Sequence, residues 1–307
     1  MQTPFFYISN PNIFLSVLLL KLHFFIPDKI YLKWMFRLNV GYKLDLNNPR
    51  SFNEKLQWLK LYDRKKIYTK LVDKYEVKKY VAQLIGEEYI IPTLGVWENV
   101  DLIDWDSLPK QFVLKTTHGS GGTSVVICKD KESFDRDSAI KLLNHSMKYS
   151  DTWAHYKEWP YKGVKRKIIA EQFLTIDGSV PEDYKIHNFN GEPKFILVCR
   201  NRFGGIGMSD DFYNVEWEHM DLSRPGKPHS GGVSKPQNLP LMLELSKKLS
   251  QNIPFVRTDF YSIGDKVYFG EMTFYPASGM VPFVPENMDY VIGEWLHLPL
   301  YEDDDQK

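Results

Sequence analysis

The spacing of hydrophobic positions changes along this chain, from a helical period in the first third to short apolar runs afterwards. Residues 28–82 mix apolar and charged residues at helical spacing. Ser51 precedes the segment FNEKLQWLKLYDR, and Glu54 follows three positions later. This pair is the signature of a capping box and predicts a helix N-terminus at Ser51. A second helix is predicted over 69–84, with Gly86 as its stop.

From residue 89 onward, short apolar runs bounded by turn residues predict β-strands. Asn190-Gly191 is the strongest turn signal and predicts a hairpin, and Gly264-Asp265 predicts another. Residues 221–239, rich in Pro, Gly and Ser, are expected to form a long surface loop. The predicted strands are 89–92, 95–97, 112–115, 125–128, 168–174, 184–189, 193–199, 255–261 and 266–273, with helices at 137–149 and 241–250. This mixture predicts an α+β protein built on antiparallel hairpins.

An apolar run near the N-terminus, IFLSVLLL at residues 13–20, bears on membrane contact. No Lys or Arg precedes it and no small-residue cleavage site follows, so a signal peptide is not predicted. The run is interrupted by Lys21 and His23 and is shorter than the roughly 20 residues of a spanning helix. We expect a helix docked on the protein, with a helix lying in the membrane interface as the alternative.

Composition narrows the class of protein further. The 307 residues carry 39 basic and 39 acidic side chains, and this balance gives no reason to expect a nucleic-acid partner. Hydrophobic residues make up 43% of the chain, enough for a packed core. Cys128 and Cys199 lie far apart without metal-ligand spacing and are expected to be buried thiols. We expect a cytoplasmic protein, with the inner face of the membrane as the alternative location.

The first candidate for chemistry is Lys115 with the glycine-rich segment that follows it, LKTTHGSGGTSVVI. Glycines let backbone amides approach an anion closely, and lysine adds a compact positive charge, so the segment predicts a phosphate-binding hairpin. The order G-x-x-x-x-G-K-[ST] is absent, which excludes a P-loop. A plain turn, with His118 as an ordinary loop residue, is the alternative.

The second candidate is the pair of C-terminal strands. Glu271 and Thr273 share one face, and Asp259 and Arg257 reach that face if the strands pair across the predicted turn. Hard oxygens clustered in this way suit Mg²⁺, and an arginine stabilises a transferring phosphoryl group. An exposed hairpin face with cross-strand ion pairs is the alternative. Glu171, near the end of an apolar strand, is a weaker third candidate, for holding adenine and ribose.

In their order along the chain, these candidates resemble the ATP-grasp superfamily, whose familiar members are the D-alanine–D-alanine ligases. More specifically, the chain resembles the TupA-like ATP-grasp family, linked to teichuronopeptide and other surface-polysaccharide synthesis. The resemblance covers roughly residues 28–298. The segments that carry it are NPRSFNEKLQWLKLYDR (48–64), LVDKYEVKKYVAQLIGEEYIIPTLGVW (71–97), FVLKTTHGSGG (112–122), DYKIHNFNGEPKFI (183–196), IPFVRTDFY (253–261) and FGEMTFYP (269–276).

This resemblance implies an ATP-grasp fold, in which two α/β lobes with antiparallel sheets clasp ATP behind a helical N-terminal segment. The implied parts are the N-terminal segment 1–64, a first lobe 65–170 with the phosphate loop, and a second lobe 171–307 with the metal site. The implied site residues are Lys74 and Lys115 for the ATP phosphates, Ser120, Gly121 and Gly122 as the phosphate cover, Glu171 and Phe173 as the adenine hinge, Asp183 as a further nucleotide contact, Asp259, Glu271 and Thr273 for two Mg²⁺ ions, and Arg257 on the transferring phosphate.

Two details depart from the superfamily pattern. Thr273 stands where many ATP-grasp ligases have Asn, although a hydroxyl can still ligate Mg²⁺ or hold a metal-bound water. A third phosphate-binding cation is not unique, because Lys185, Arg200 and Arg202 all compete for that role. We rank Lys185 first and keep Arg202 as a further catalytic candidate.

The resemblance implies an ATP-dependent ligase that joins a carboxylate to an amine through an acyl phosphate. A uronic acid of a cell-surface or capsular polysaccharide is the expected carboxylate, and loops 203–211 and 221–239 are the expected lids on the acceptor side. A glycosyltransferase and an ATP-dependent kinase are the alternatives. The D-x-D spacing of Asp303 and Asp305, which a glycosyltransferase could use, lies in an acidic tail and is read as solvated charge.

Overall fold

The structure, a computed structural model, describes residues 11–119, 122, 124–149, 152–176, 178–200, 209–227, 229 and 231–300. Its helices are α1 (Pro11–Leu22), α2 (Asp28–Val40), α3 (Phe52–Tyr62), α4 (Ile67–Val72), α5 (Glu76–Ile85), α6 (Arg136–Tyr149), α7 (Thr152–Tyr156), α8 (Leu239–Leu249) and α9 (Asn287–Glu294). Its strands are β1 (Thr93–Trp97), β2 (Phe112–Thr116), β3 (Val125–Cys128), β4 (Ile168–Gln172), β5 (Asp183–Phe189), β6 (Glu192–Arg200), β7 (Ser209–Asn214), β8 (Phe255–Ile263) and β9 (Lys266–Thr273). The α+β class predicted from the sequence is confirmed.

The capping box at the start of α3 is present as predicted. The Ser51 hydroxyl accepts a hydrogen bond from the Glu54 amide, and the Glu54 carboxylate accepts one from the Ser51 amide. Two amide groups that the first helical turn leaves without helical partners are thereby satisfied, so the helix begins at a defined residue.

The single helix predicted over 69–84 is wrong, because the structure divides it into α4 and α5. Asp73 lies at the break, where its carboxylate accepts hydrogen bonds from the amides of Tyr75 at 2.8 Å and Glu76 at 3.1 Å. The amide of Lys74 donates to the carbonyl of Thr117 at 3.0 Å. Aspartate competes with the helical backbone in this way, because its carboxylate offers the backbone amides an alternative to the hydrogen bonds of a continued helical turn. The break turns Lys74 toward the glycine-rich loop.

The strand predicted at 89–92 is also wrong. Glu87–Tyr89 forms a 3-10 turn, Ile90 makes an isolated bridge to Phe269, and the strand itself starts at Thr93. Pro92 explains the late start, since proline has no amide hydrogen to donate to a sheet ladder.

Two antiparallel sheets organise the remainder of the chain. The smaller sheet has the strand order β1-β4-β2-β3, and the larger has the order β7-β6-β5-β8-β9. Both predicted hairpins, β5–β6 and β8–β9, are present as antiparallel pairs, each with one register shift. In the larger sheet Lys185 lies opposite Asp259, and Asp259 lies opposite Glu271. Paired residues point to the same face, so the charged side chains of three strands lie on one side of this sheet.

Three hydrophobic clusters hold these parts. The largest joins both faces of the larger sheet to α3, α4, α5 and α8. A second lies between the smaller sheet and α6. A third packs α2 against α1, the segment that follows α2 and the C-terminal half of α3. The proposed division of the chain at residues 64 and 170 stays a prediction.

The apolar N-terminal run forms α1, which packs on α2. Leu19 is buried against α2, whereas Leu15, Leu18 and Leu22 are each more than two-fifths exposed. Within the described part of the chain, none of the helices has the length and hydrophobicity required to cross a bilayer.

Candidate active site

A cleft lies between the two sheets, with about 890 Å³ of space that no protein atom fills. The floor comes from β2, β3 and β4, and the opposite wall comes from β5, β8 and β9. Of the nucleotide ligands expected from the sequence, the cleft is lined by Lys74, Lys115, Gly122, Glu171, Phe173 and Asp183. Their roles as ligands stay predictions, but the fold brings them into one cavity.

Lys74 enters this cleft from the break between α4 and α5. Its ammonium donates a hydrogen bond to the carbonyl of Gly119 and lies 3.7 Å from a carboxylate oxygen of Glu271. Burial lowers the pKa of Lys74, while Glu271 acts in the opposite direction. One lysine therefore touches both the glycine-rich hairpin and the face that carries the metal-ligand candidates.

The glycine-rich hairpin is built tightly at its first glycine. A Cβ at Gly119 would lie 2.0 Å from the Ser124 hydroxyl and 2.6 Å from that of Thr116, so no larger residue fits without rearrangement. Gly122 has φ +78°, which side-chain-bearing residues rarely adopt. Ser120 and Gly121, the other two expected phosphate contacts, lie outside the described residues.

A buried carboxylate with two lysines forms the centre of the floor. Glu171 is 3% exposed and lies 2.5 Å from the ammonium of Lys115 and 2.6 Å from that of Lys78. Burial alone would raise the pKa of Glu171, but Lys115 and Lys78 outweigh it and lower the pKa. Burial lowers the pKa of Lys78, and Glu171 opposes this shift. Glu171 thus joins Lys115, which lines the cleft, to Lys78 behind it.

Lys78 was missed by the sequence reasoning. Its ammonium also donates to the carbonyl of Ile91 at 2.6 Å and to the hydroxyl of Thr93 at 3.1 Å. The available signal was its spacing, because Lys78 follows Lys74 by four residues, one helical turn. The expected long helix would have placed both lysines on one face.

The opposite wall carries the strand residues predicted to hold metal. Arg257 binds both oxygens of Asp259 at 2.7 Å, and the same guanidinium reaches Glu271 at 3.0 Å and the hydroxyl of Thr273 at 3.0 Å. Burial alone would lower the pKa of Arg257, but Asp259 and Glu271 raise it well above its ordinary value. The predicted convergence of these four side chains is therefore present, with the arginine at its centre.

A β-bulge adjoins this group. The register of β8 and β9 shifts after Asp259, and Gly270 is the extra residue. A Cβ at Gly270 would lie 3.1 Å from the carbonyl oxygen of Asp259. Bulges of this kind re-aim side chains next to active sites, and here the bulge sets Glu271 beside Asp259.

Lys185, the first-ranked third cation, lies on the same face. Its ammonium is 2.5 Å from Asp183 and also pairs with Asp259. Burial alone would lower its pKa, but Asp183 and Asp259 raise it. Arg202, its competitor in the sequence, lies outside the described residues, and Arg200 pairs instead with Glu182 at 3.1 Å.

The donor set can be compared with the chemistry of MgATP. Carboxylate and hydroxyl oxygens from Asp259, Glu271 and Thr273 are the hard ligands that Mg²⁺ prefers. Lys74 and Lys115 are the point charges that phosphates prefer. Asp259 and Glu271 are each paired with a cation of the protein. Mg²⁺ can take the place of these cations at the carboxylates, and the triphosphate can take the place of the carboxylates at the lysines, so that neither sign of charge is left unbalanced. The residues of the cleft therefore fit MgATP.

A short segment of residues 172–174 links the smaller sheet to the larger one along the edge of the cleft. Gln172, Phe173 and Leu174 all line the cavity, and Phe173 is 7% exposed. The amide of Gln172 donates to the carbonyl of Pro92 at 3.0 Å. This is the position at which the adenine hinge was expected, and its role stays a prediction. Asp303 and Asp305 lie outside the described residues.

Comparison with known proteins matches the chain to one family model. Residues 54–297 match the TupA-like ATP-grasp model, which is most of the chain. A search of curated proteins gave no match.

Among solved structures, the chain is similar to two D-alanine–D-alanine ligases and one synthetase. The Bacillus anthracis ligase is 15% identical with a TM-score of 0.39, over 67% of this chain and 57% of that one. The Helicobacter pylori ligase is 16% identical with a TM-score of 0.42, over 81% and 70%. The N5-carboxyaminoimidazole ribonucleotide synthetase from Thermus thermophilus is 14% identical with a TM-score of 0.39, over 72% and 51%. The chain thus spans little more than half the length of the Bacillus anthracis ligase and about half the length of the synthetase.

Proposed function

This chain belongs to the TupA-like ATP-grasp family, and on that premise we propose that it is an ATP-dependent ligase that joins a carboxylate to an amine. One observation carries the proposal. Two lysines (Lys74 and Lys115) and two carboxylates (Asp259 and Glu271) line one cleft, and Glu171 pairs Lys115 with a third cation, Lys78. When bound there, MgATP would supply the phosphoryl group that activates the carboxylate as an acyl phosphate.

In this proposal the chain's own residues bind, orient and neutralise. Lys74 and Lys115 bind phosphate oxygens, and Glu171, which also pairs with Lys78, positions Lys115. Asp259, Glu271 and Thr273 are the ligands for magnesium. Arg257 is already fixed by two carboxylates, so it is positioned to stabilise charge that develops on a transferring phosphoryl group without reorganising.

The acceptor is proposed from the family alone. A uronic acid of a cell-surface or capsular polysaccharide, as in a teichuronopeptide, would supply the carboxylate, and an amino acid or small amino alcohol would supply the amine. The loop at 221–239 is the proposed acceptor-side lid. Its Arg224 binds Asp210 on the same face of the larger sheet as Lys185, which directs a positive charge toward that side.

We also propose that the protein contacts the inner face of the membrane through α1 and the turn after it. Phe24 and Phe25 are 71% and 85% exposed, and Trp34 is half exposed on the adjacent helix. Lys29 and Lys33, which suit anionic headgroups, are exposed on that same helix. Aromatic side chains beside lysines are typical of interfacial binding.

Vesicle co-sedimentation tests this contact. Vesicles that contain phosphatidylglycerol should retain the protein, and the double variant Phe24→Ser and Phe25→Ser should bind several-fold less. Leu102→Ser, which removes another exposed apolar side chain far along the chain, is the matched control. Equal binding by both variants would refute the membrane contact.

The ligase is tested by ADP release from MgATP in the presence of a panel of uronic acids and amines, with products identified by mass spectrometry. Carboxylate-dependent ADP release, with a product lighter by one water than the two substrates together, is expected. A stable phosphoester would indicate a kinase instead, and transfer of a sugar would indicate a glycosyltransferase.

Glu271→Gln should abolish this turnover, because the amide removes one negative oxygen ligand. Glu244→Gln, on the exposed side of α8, is the matched control and should retain activity. Failure of the folded wild-type protein to bind MgATP would overturn the whole assignment.

A further inference from the structure

The face of the larger sheet opposite the cleft carries a second cluster of ligating side chains. Asp211 on β7 lies opposite Val198, whereas its neighbour Phe212 lies opposite Leu197 on the face of Lys185. Side chains alternate along a strand, so Asp211 points away from the active site. Its side chain has no exposed surface.

Two histidines face this buried carboxylate. After β7 the chain turns back, and the pairing of Tyr213 with His219 sets His219 diagonal to Asp211 on the same face. His229 arrives from the proline-rich loop. The Nε2 atom of His219 lies 3.8 Å from Asp211 Oδ1, and the Nδ1 atom of His229 lies 3.6 Å from the same oxygen.

These distances suit a shared ion better than direct contact. Both exceed the range of a hydrogen bond. Two ligands of one tetrahedral Zn²⁺, each about 2.1 Å from the metal, are about 3.4 Å apart. The ligand atoms of Asp211, His219 and His229 all lie within 4.8 Å of one another, so small side-chain movements would bring them to that spacing.

The ligand types point to a class of metal. Two imidazoles and one carboxylate favour zinc or a similar first-row transition ion, and imidazole is a poor ligand for magnesium. Three protein ligands leave at least one position for water. The site therefore differs in chemistry, as well as in position, from the magnesium ligands in the cleft.

We propose that Asp211, His219 and His229 form a Zn²⁺-class metal site that fastens the 221–239 loop to the edge strand of the larger sheet. The three ligands come from three successive segments, so one ion cross-links them. On the other face of the same strand, Arg224 binds Asp210 at 2.9 Å. The loop thus wraps the sheet edge, with Arg224 holding its beginning and the metal holding its middle.

The test uses the full chain without an affinity tag, treated with a chelator and then dialysed. Titration calorimetry with ZnCl₂ should show one equivalent bound, and excess MgCl₂ should not displace it. His219→Ala and His229→Ala should each weaken binding at least about 10-fold. His145→Ala, which removes an exposed histidine on α6, is the matched control and should bind as the wild type does.

A second readout keeps the proposal falsifiable if a variant folds poorly. Zinc should raise the Tm of the wild-type protein and leave that of His229→Ala unchanged, because a ligand stabilises only the form that binds it. His229 lies on an exposed loop, so its removal leaves the sheet intact. Absence of one-equivalent binding, or equal affinity in the two histidine variants and the control, would overturn the proposal. Neither result depends on MgATP binding.

Discussion

At the scale of single residues, Glu171 connects two lysines, of which Lys115 lines the cleft. Its carboxylate holds Lys115 from β2 and Lys78 from α5 at hydrogen-bonding distance. A buried carboxylate that loses one cationic partner binds the remaining one more exclusively, and breaking such a buried pair costs about 3–5 kcal/mol. The availability of Lys115 to a phosphate therefore depends on Lys78.

Replacing Lys78 tests this dependence. In Lys78→Met, Lys115 should stay with Glu171, and the Kd for MgATP should rise at least about 10-fold, equivalent to about 1.4 kcal/mol. Titration calorimetry measures the change. Lys79→Met removes the neighbouring exposed lysine of the same helix and should leave the Kd unchanged. Similar Kd values for the two variants would contradict the role of Lys78.

A second prediction at the scale of single residues concerns the reactivity of the two buried thiols. Burial raises the pKa of Cys199 to about 12, and burial also raises the pKa of Cys128. At pH 8 about one ten-thousandth of Cys199 is thiolate, and the thiolate is the reactive form. Ellman's reagent should therefore react slowly with the native protein and rapidly with both thiols in urea.

The raised pKa of Cys199 also makes the free energy of unfolding depend on pH. The folded pKa of Cys199 lies above the ordinary value of 9.0, so its contribution to the free energy of unfolding is complete below pH 9 and is lost as pH rises toward 12. A Cys199→Ala variant should show a smaller loss of stability across that range.

For the labelling experiment, rapid reaction of both thiols with Ellman's reagent in the native protein at pH 8 would contradict their burial.

At the scale of secondary-structure elements, a left-handed turn follows strand β9. Ala277, Ser278 and Gly279 have φ values of 48°, 57° and 56°. Residues of α3 hold the turn: Gln57 donates to the carbonyl of Gly279 at 2.8 Å, and Lys60 donates to that of Ser278 at 2.7 Å. The helix that starts at the capping box thereby fixes the chain immediately beyond the active-site face.

Two glycine substitutions separate packing from backbone strain in this turn. Gly279 and Gly264 have similar positive φ values, but a Cβ at Gly279 would lie 2.9 Å from Leu56 Cβ, whereas Gly264 has open space. Gly264→Ala should cost about 1–2 kcal/mol from backbone strain alone. Gly279→Ala should cost about 1–3 kcal/mol more, measured by urea unfolding. Equal losses would mean that the turn does not pack tightly on α3.

At the scale of the whole molecule, the cleft depends on two sheets with separate cores. The floor belongs to the smaller sheet, and the wall with Asp259 and Glu271 belongs to the larger one. A ligand that bridges them stabilises the folded form by mass action, by about 2.7 kcal/mol at 100 times its Kd.

MgATP at such a concentration should therefore raise the Tm of the wild-type protein, measured by differential scanning calorimetry. Glu271→Gln should lose the part of this increase that depends on Mg²⁺ and retain the part that ATP produces in the presence of a chelator. An equal response to Mg²⁺ in the wild type and Glu271→Gln would show that Glu271 is not a metal ligand.

Local signals in the sequence were sufficient for much of the fold. The capping box at Ser51, the Asn190-Gly191 hairpin and the β8–β9 hairpin were all predicted correctly. Each depends on residues close in sequence, whose backbone preferences act before any tertiary contact forms. The convergence of Arg257, Asp259, Glu271 and Thr273 was also predicted, but it needs the bulge at Gly270, because the turn and strand alternation alone would pair Asp259 with Gly270.

Contacts between distant segments determined the rest. Asp73 breaks a regular helical pattern because the amide of Lys74 bonds to Thr117. Lys78 pairs with Glu171 because β4 lies beside α5, and Asp211, His219 and His229 converge because the chain folds back over a sheet edge. A buried charge pairs with an opposite charge that is near it in space, because a charge removed from water needs a counter-charge. The spacing of residues along the chain does not predict which residue that will be.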